Sequence, residues 1–408
     1  MAPQYAPSLR SRLPPIAFLL ETVFILFFVF YVDVSYVHSI RFYAEFQDVH
    51  VMVFMGFGFF STFLVRYGFS SSGFSLLVAA MAVQWAIVVQ TLLHLPYLGR
   101  MRLTIESLVF AEMSAASSLI AMGVVLGKTN PVHLLLMSLM EVAGFTLNHW
   151  LLQTLLKVKL QHSLMLLHIY GAFFGIMTSW TLGKGIEPRH EKEKSDRKMA
   201  LFSLFGTLFL WMLWPSFNSL FFSTIAQINI ICSTYLSMAV SAVTAIAISV
   251  LSNPRGKINM LHVQSGILAG GVAVGATMST FPLPWVAMAV GLSAGIMSTL
   301  GSIYIKPLMQ IVFKCHDTCS ILSVYGIPGI LGWFVRLFLQ LANSDSTTVA
   351  VRFAAYHITI LLITLASSVT LGVITGVILK LKIWRPPQDR KCYDDQAFWE
   401  FPHLAERK

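Results

Sequence analysis

The stretch LLHIYGAFFGI, from Leu166 to Ile176, places a histidine inside an apolar run with no charged neighbour. Such a histidine is harmless in a soluble core but awkward in a membrane-spanning helix, so the first question is which solvent the segment meets. Of the 408 residues, 56% are hydrophobic and 11% are charged. Soluble domains have about a quarter charged residues. The composition therefore indicates a membrane protein.

The apolar residues form long blocks separated by short polar segments, which is typical of a polytopic helical membrane protein. Windows of about 20 residues predict the spans. The twelve predicted spans lie near residues 16–34, 49–65, 72–95, 106–126, 131–152, 163–182, 200–222, 228–250, 262–281, 284–304, 319–341 and 353–380. No segment has the alternating pattern of an outer-membrane barrel. The predicted fold class is an all-α polytopic membrane protein.

The basic residues predict the orientation, because cytosolic loops of membrane proteins collect Lys and Arg. With the amino terminus in the cytosol, 21 of the 28 Lys and Arg residues lie inside and 6 lie outside, with Arg336 within a span. An even number of spans then returns the carboxyl terminus to the cytosol. The net charge of +10 is a topology signal, and nucleic-acid binding is not expected because the basic residues are dispersed.

The sequence gives no sign of catalysis, a cofactor or a metal centre. It contains no nucleophile elbow, no P-loop and no HExxH motif. Cys315 and Cys319 have CxxxC spacing around His316, but a zinc site needs four ligands and no second pair follows. Structural disulfides are not expected on the cytosolic side, and no N-x-S/T sequon occurs. We therefore predict a protein that is not an enzyme.

Internal similarity suggests a repeated architecture. HIYGAFFGI, from His168, has a faint counterpart in VYGIPGILG, from Val324, five spans later. An odd separation places two copies in opposite orientations, as an inverted repeat requires. Small residues four apart, at Gly271 and Gly275, Gly291 and Gly295, and Gly372 and Gly376, predict close helix packing.

Four longer motifs resemble one family. FLWMLWPSFNS (209–219), INMLHVQSGILAGGVAVGA (258–276), HDTCSILSVYGIPGI (316–330) and LKIWRPPQDRKCYDDQAFWEFPHLA (381–405) are similar to the Rh branch of the ammonium transporter/Rh superfamily. The tail and the missing sequon resemble the Rh blood-group polypeptides. The resemblance covers essentially the whole chain.

The resemblance implies twelve helices in a single transmembrane domain, residues 1–380, with an extra first helix and a last helix around two inverted five-helix repeats. The repeats would occupy about 49–182 and 200–341, and residues 381–408 would form a cytosolic tail. It further implies a trimer, with a pore in each subunit and a Rh-associated glycoprotein as partner, in the plasma membrane of red cells.

Conducting relatives line their pore with two histidines that hydrogen-bond to each other, and the first matches His168. An ammonium ion in a narrow apolar pore loses its hydration, so it should release its proton before crossing. A neutral imidazole pair, with one nitrogen donating and one accepting, can then pass ammonia along. The inner-gate phenylalanine of the family matches Phe217.

Three positions depart from this pattern. Tyr325 replaces the second histidine; its phenol can hydrogen-bond to His168, but it is larger and does not titrate near neutral pH. Leu160 replaces an aspartate, and Met113 replaces the outer-gate phenylalanine after an acidic residue, Glu112, which could serve as a vestibule acid. These departures predict a preserved barrel with an impaired pore.

Each of these residues also has a plainer interpretation. His168 could be a hydrogen-bonded core histidine, Tyr325 and Phe217 could simply pack, and Glu21 and Glu141 could make buried structural hydrogen bonds. At the function level, the first hypothesis is a subunit of an ammonia or ammonium transport complex. The alternative is a non-conducting subunit that links the membrane to the ankyrin-based skeleton.

The tail supports the alternative. Aromatic and acidic residues alternate in it, as in docking motifs: Tyr393, Asp394, Asp395, Phe398, Trp399 and Phe401. In the family this tail is linked to ankyrin. An aromatic belt at the lipid bilayer surface is the competing interpretation.

We predict that the segment from Gly183 to Lys198 is cytosolic, because it carries the densest positive charge of any loop. An epitope inserted there should be labelled only after cells are permeabilised. Labelling on intact cells would show that the orientation is inverted.

Overall fold

The protein is almost entirely helical in the computed structural model, which describes residues 7–35, 42–183, 193–275, 283–385, 387 and 392–400. The elements of the first half are α1 (Pro7–Tyr31), β1 (Val32–Val34), α2 (Tyr43–Val51), a π-helical turn (Met52–Gly56), α3 (Phe57–Phe60), α4 (Gly68–Leu98), β2 (Met101–Leu103), α5 (Ile105–Val125), α6 (Pro131–Thr154), α7 (Leu160–Leu164) and α8 (Leu167–Leu182).

The second half continues the bundle with longer helices. Its elements are α9 (Arg197–Ser219), α10 (Thr224–Leu251), α11 (Met260–Gly275), α12 (Pro284–Leu300), a π-helical turn (Gly301–Ile305), α13 (Lys306–Val312), a π-helical turn (Leu322–Gly326), α14 (Ile327–Ala342), α15 (Thr347–Leu379) and 3₁₀ turns at Lys382–Trp384 and Asp395–Ala397.

Each predicted span coincides with a helix or a run of helices. Within the described ranges, ten segments are long and apolar enough to cross a membrane. The shorter α11 and the interrupted run from α2 to α3 account for the other two predicted spans. Residues 276–282, which include the end of the predicted span 262–281, lie outside the described residues. All-helical architecture follows from the solvent, because a backbone surrounded by lipid must satisfy its hydrogen bonds internally.

Burial separates central helices from peripheral ones. The most apolar window of α5 is 94% buried, whereas that of α1 is 6% buried. The first helix therefore lies on the outside of the bundle, where the resemblance places an extra helix. Helix α5 lies at the centre and packs on α4, α6 and α8.

Different contacts close the two ends of the bundle, which we call the tail end, next to the carboxyl-terminal tail, and the far end, opposite to it. At the tail end, the backbone N–H of Tyr393 donates to the carbonyl of Gly127, in the turn between α5 and α6. At the far end, the Tyr356 hydroxyl near the start of α15 donates to the carbonyl of Leu156, after α6. A short parallel ladder between β1 and β2, which the sequence did not predict, also lies at the far end and carries an Arg100–Asp33 ion pair of 3.1 Å.

The glycine pairs are packing positions, as predicted. A Cβ atom at Gly291 would lie 2.2 Å from the carbonyl oxygen of Ser237, and one at Gly295 would lie 2.9 Å from that of Ser241. Helix α12 thus approaches the backbone of α10 too closely for any side chain. Glycines 271, 275, 372 and 376 are equally confined.

We predict that Gly291→Ala destabilises the protein by about 1–3 kcal/mol, because the new methyl group would force α12 away from α10. The matched control is Gly58→Ala, since a Cβ there meets nothing within 4 Å. Thermal unfolding of the detergent-solubilised protein measures both effects. Equal melting temperatures for the two variants would contradict the packing argument.

Candidate functional site

Four rings from three separate segments meet in the centre of the bundle, and we call them the ring cluster: His168, Trp214, Phe217 and Tyr325. The His168 centroid lies 5.7 Å from that of Trp214 and 5.8 Å from that of Tyr325, with planes 20° and 19° apart. Phe217 lies 5.9 Å from His168 at a tilt of 43°. The structure therefore brings together three of the residues that the sequence singled out.

The local backbone explains how these rings meet. His168 is the second residue of α8, and Trp214 and Phe217 lie three apart on α9, on one face. Tyr325 belongs to the π-helical turn before α14, where an extra residue in the turn rotates the side chains that follow. Such turns are common at functional sites.

The expected hydrogen bond between His168 and Tyr325 is not present. Their rings stack with nearly parallel planes, and neither histidine nitrogen nor the phenol oxygen has a hydrogen-bond partner among the described residues. The indole N–H of Trp214 is also buried without a hydrogen-bond partner among these residues. The expectation was wrong because the aromatic faces pack on one another, as aromatic pairs prefer.

The ring cluster is tightly closed. His168 and Phe217 are 1% exposed, and Tyr325 and Trp214 are 0% exposed. On the tail side of Tyr325 a further ring, Phe57 of α3, stacks at 6.2 Å. The rings of the cluster therefore have almost no surface that water can reach in this structure.

Trp214 is the member that the sequence analysis missed. A Cβ at Gly271 would lie 2.7 Å from its indole ring, so the glycine of α11 makes room for the tryptophan. The available signal was the spacing of Trp214 and Phe217 on one helical face. The glycine spacing predicts close packing at Gly271 but does not show which side chain packs there.

The remaining predicted pore residues lie outside the ring cluster. Met113 is fully buried on α5, and its neighbour Glu112 accepts a 2.6 Å hydrogen bond from Nδ1 of a half-exposed His50 on α2. Leu160 is the first residue of α7 and packs against the core. The pairing of Glu112 with His50 was not predicted from the sequence.

A hydrogen-bond chain supports the cluster from α5. Ser117 donates to the carbonyl of Leu167, directly before His168, at 3.2 Å. It also lies 2.5 Å from a carboxyl oxygen of Glu141 on α6.

Glu21, on α1, accepts a hydrogen bond from the Gln84 amide at 3.1 Å. Glu21 and Glu141 thus both make structural hydrogen bonds, as the plainer interpretation expected.

At the tail end, the carboxylate of Asp395 caps a distant helix. It accepts hydrogen bonds from the backbone N–H groups of Phe69 and Ser70, at 3.0 and 2.7 Å, in the first turn of α4. The indole of Trp399 donates to the Ser70 hydroxyl at 3.0 Å. A carboxylate at a helix N-terminus satisfies free donors and complements the helix dipole.

Aromatic contacts fasten the same segment. The ring of Phe74 packs on Phe398 at 5.4 Å and on Trp399 at 5.9 Å. A Cβ at Gly127, whose φ is +81°, would lie 2.2 Å from the ring of Tyr393. We call the segment from Cys392 to Trp399, with its contacts on α4 and the α5–α6 turn, the tail latch.

The tail latch shows what two of the predicted tail residues contact. Tyr393 and Asp395 are buried against the chain itself, because a helix N-terminus and an open glycine turn receive them. Docking to a partner protein and a belt at the lipid surface stay predictions for the tail. Asp394 is half-buried and Trp399 is 37% exposed, while Phe401 lies outside the described residues.

Beneath the tail latch lies a buried cation. The Lys128 ammonium donates to the His316 carbonyl at 2.6 Å and to the Ser179 hydroxyl at 2.9 Å. Burial lowers its pKa to about 8. The ring of His316 contacts a carboxyl oxygen of Glu193 at 3.0 Å. Burial also raises the pKa of Asp395, against the hydrogen bonds from Ser70 and Phe69.

Comparisons with known proteins agree with the fold. The profile of the Ammonium Transporter Family matches residues 17–398. The chain is 40% identical over 380 residues to the ammonium transporter Rh type C of Canis lupus familiaris, covering 88% of this chain and 83% of that protein. It is 39% identical over 367 residues to the ammonium transporter Rh type A of Bos taurus, covering 89% and 85%.

Comparison with solved structures also supports the fold. The Rh50 protein of Nitrosomonas europaea, described as a member of the Rhesus family of channels, superposes with a TM-score of 0.77. That alignment covers 90% of this chain and 94% of the Rh50 chain at 28% identity. Mep2 of Saccharomyces cerevisiae shares the fold at a TM-score of 0.65 and 18% identity, covering 84% and 88%.

We predict that Asp395→Asn loosens the tail latch, because both carboxylate oxygens accept a backbone N–H from α4, whereas an asparagine amide has only one acceptor oxygen. Cys392, 5% exposed, should then react with a soluble maleimide about fivefold faster or more, since losing about 1 kcal/mol changes an opening equilibrium by that factor. The measurement uses protein in which the other three cysteines are replaced by serine or alanine.

Glu400→Gln is the control for this test, because it removes the same charge from an exposed position in the same tail. Labelling of Cys392 that is equally fast in both variants would show that the cap does not hold the segment.

Proposed function

We propose, from the premise that this chain belongs to the Ammonium Transporter Family and to its Rh branch, that it is a membrane subunit whose own ammonia pathway is closed at the ring cluster. The observation that carries the proposal is the fully buried stack of His168 and Tyr325, whose ring centroids lie 5.8 Å apart.

The polar atoms of the ring cluster support a pore origin. Both nitrogens of His168, the hydroxyl of Tyr325 and the indole N–H of Trp214 are buried without a partner among the described residues. Each such group costs about 1–3 kcal/mol in a folded protein. A core selected for stability alone would carry apolar side chains there, whereas a path for a small polar molecule needs donors and acceptors.

The chemistry of the substrate explains why Tyr325 matters. Ammonia crossing an apolar passage needs a donor and an acceptor at each step, and two neutral imidazoles supply both. A phenol is longer than an imidazole, and in this structure its ring stacks on Phe57 at 6.2 Å. Ammonium cannot take its place, because a charge at that depth is costly. The fold is retained while the path is occupied by the protein itself.

The proposal also covers how the subunit assembles and in which membrane it lies. We place the subunit in a trimer with a Rh-associated glycoprotein, in the plasma membrane of red cells, with both termini cytosolic. The apolar outer faces of α9 and α10 offer surface for neighbouring subunits or lipid, with Leu201 and Ile225 67% and 79% exposed.

A link to ankyrin would use the outer side of the tail latch. There Gln396, Trp399 and Glu400 are exposed, while Tyr393 and Asp395 face inwards. Trp399→Ala removes one exposed ring and one hydrogen bond to α4, so it should weaken binding to ankyrin. The control is Lys257→Gln, which changes an exposed residue at the same end of the bundle but outside the tail.

We predict that Tyr325→His opens the path and raises methylammonium uptake by about tenfold or more in cells that lack their own transporters. The smaller imidazole leaves space beside His168 and restores a titratable ring pair. His168→Ala in the same background should return uptake to the level of the unmodified chain. Surface expression must be matched for all variants.

Tyr304→His is the control, because it makes the same substitution at a tyrosine that is 61% exposed, whereas Tyr325 is fully buried. Strong uptake by the unmodified chain that is abolished by His168→Ala would contradict the proposed closure. If Tyr325→His leaves uptake at background, the phenol is not the block.

A further inference from the structure

A cavity of about 530 Å³ opens at the far end of the bundle, away from the ring cluster. Its walls come from the segment before α7, the start of α10, the second half of α14 and the start of α15. None of the predicted pore residues lines it. Its volume lies in the range of about 300–1,000 Å³ that is typical of sites for small molecules.

The charge of the cavity has one sign. Lys157, Lys159 and Arg336 line it, and among the described residues no aspartate or glutamate does. The two lysines are among the few basic residues that the sequence places outside the cytosol, and Arg336 lies in the interior of a predicted span. Cations that converge from separate segments without an acidic neighbour form a site for an anion.

Arg336 is the central feature of this site. Its guanidinium lies 5.9 Å from the ring centroid of Trp333, one turn earlier on α14, and it makes no ion pair within the described ranges. An arginine in an apolar helix is costly unless a partner offsets its charge. Its planar group binds a carboxylate or a phosphate through two parallel hydrogen bonds.

His162 provides an independent observation. Its side chain lines the cavity and is 8% exposed, and Nδ1 has no hydrogen-bond partner among the described residues. The ring of Phe222 holds it edge to face at 6.1 Å. A buried polar atom of this kind points to a ligand that completes its hydrogen bonding.

The walls are held in place before any ligand binds. The ring of His357 stacks on Trp333 at 4.1 Å, and two hydrogen bonds join these residues, from the Trp333 indole at 3.1 Å and from the His357 ring at 2.8 Å. The Tyr356 hydroxyl ties α15 to the segment after α6. A preorganised pocket loses little free energy on binding.

We propose that this cavity binds an oxyanion, a carboxylate or phosphate group, carried by a molecule with an apolar or aromatic portion. The Arg336 guanidinium and the two lysines take the charge, His162 takes or gives one hydrogen bond, and the rings of Trp333, Phe222 and Phe353 cover the apolar portion. A soluble organic anion and the head group of an acidic lipid share this chemistry.

Equilibrium binding of phenyl phosphate to the full chain in phosphatidylcholine nanodiscs tests the proposal, with phenyltrimethylammonium as the cationic probe of similar shape. Phenyl phosphate should bind and the cation should not. Arg336→Gln should weaken binding about tenfold or more, which is the expected loss for a charge-assisted hydrogen-bond pair. Lys159→Gln should weaken it severalfold, and Lys159 is exposed, so that variant is expected to fold.

Lys257→Gln is the matched control, because it removes an exposed lysine at the tail end of the bundle. A second set of nanodiscs contains phosphatidylserine. If that lipid competes with phenyl phosphate and is retained on purification by the unmodified chain but not by Arg336→Gln, the occupant is a lipid head group. If it does not compete, the occupant is a soluble anion. Equal binding of all variants, or no preference for the anion over the cation, would overturn the proposal.

Discussion

Three nearly parallel rings, those of His168, Trp214 and Tyr325, hold the first turn of α8, the end of α9 and the turn before α14 together at the centre of the bundle. Stacked aromatic pairs stabilise a fold by about 0.5–1.5 kcal/mol each beyond their burial. The polar atoms of these rings, left without partners, cost about 1–3 kcal/mol each. The gain and the loss are of similar size, so stability alone does not explain this choice of residues.

The surroundings of the rings are adapted to them. Gly271 leaves room for the Trp214 indole, Ser117 holds the carbonyl of Leu167 beside His168, and a π-helical turn presents Tyr325. A change at position 325 therefore acts on a site that its neighbours hold in place. In the proposed function, the same set of contacts retains the fold and closes the path.

The tail end and the far end of the bundle carry two further features, the tail latch and the cavity around Arg336. At the tail end, Asp395 and Trp399 bind the start of α4, so the tail is part of the folded domain. At the far end, Lys157, Lys159 and Arg336 place positive charge around the cavity, close in sequence to Leu160, where the resemblance implies an aspartate. Such a cluster repels ammonium and attracts anions locally, with a strength that falls at high salt. The proposed closure and the proposed anion site would each disfavour uptake of a cation.

Much of this architecture follows from the sequence. Blocks of apolar residues predict the helices, because lipid leaves the backbone no other way to satisfy its hydrogen bonds. The resemblance identified His168, Tyr325 and Phe217, which do meet. The sequence did not reveal the stacking of the rings, since it depends on π-helical turns that no local pattern marks. It also did not reveal what Asp395 binds, because its partners Phe69 and Ser70 lie 326 and 325 residues away. The cavity joins residues of four segments, each of which looks ordinary alone.

The central claim is that the protein's own side chains close the path at Tyr325. The most direct test is the rate of internal alkalinisation of liposomes that contain only this purified chain, after rapid mixing with an ammonium gradient. The account predicts a rate equal to that of protein-free liposomes of the same size and lipid composition. A faster rate that falls to the protein-free value in the His168→Ala variant would contradict it, because ammonia would then be passing through the ring cluster.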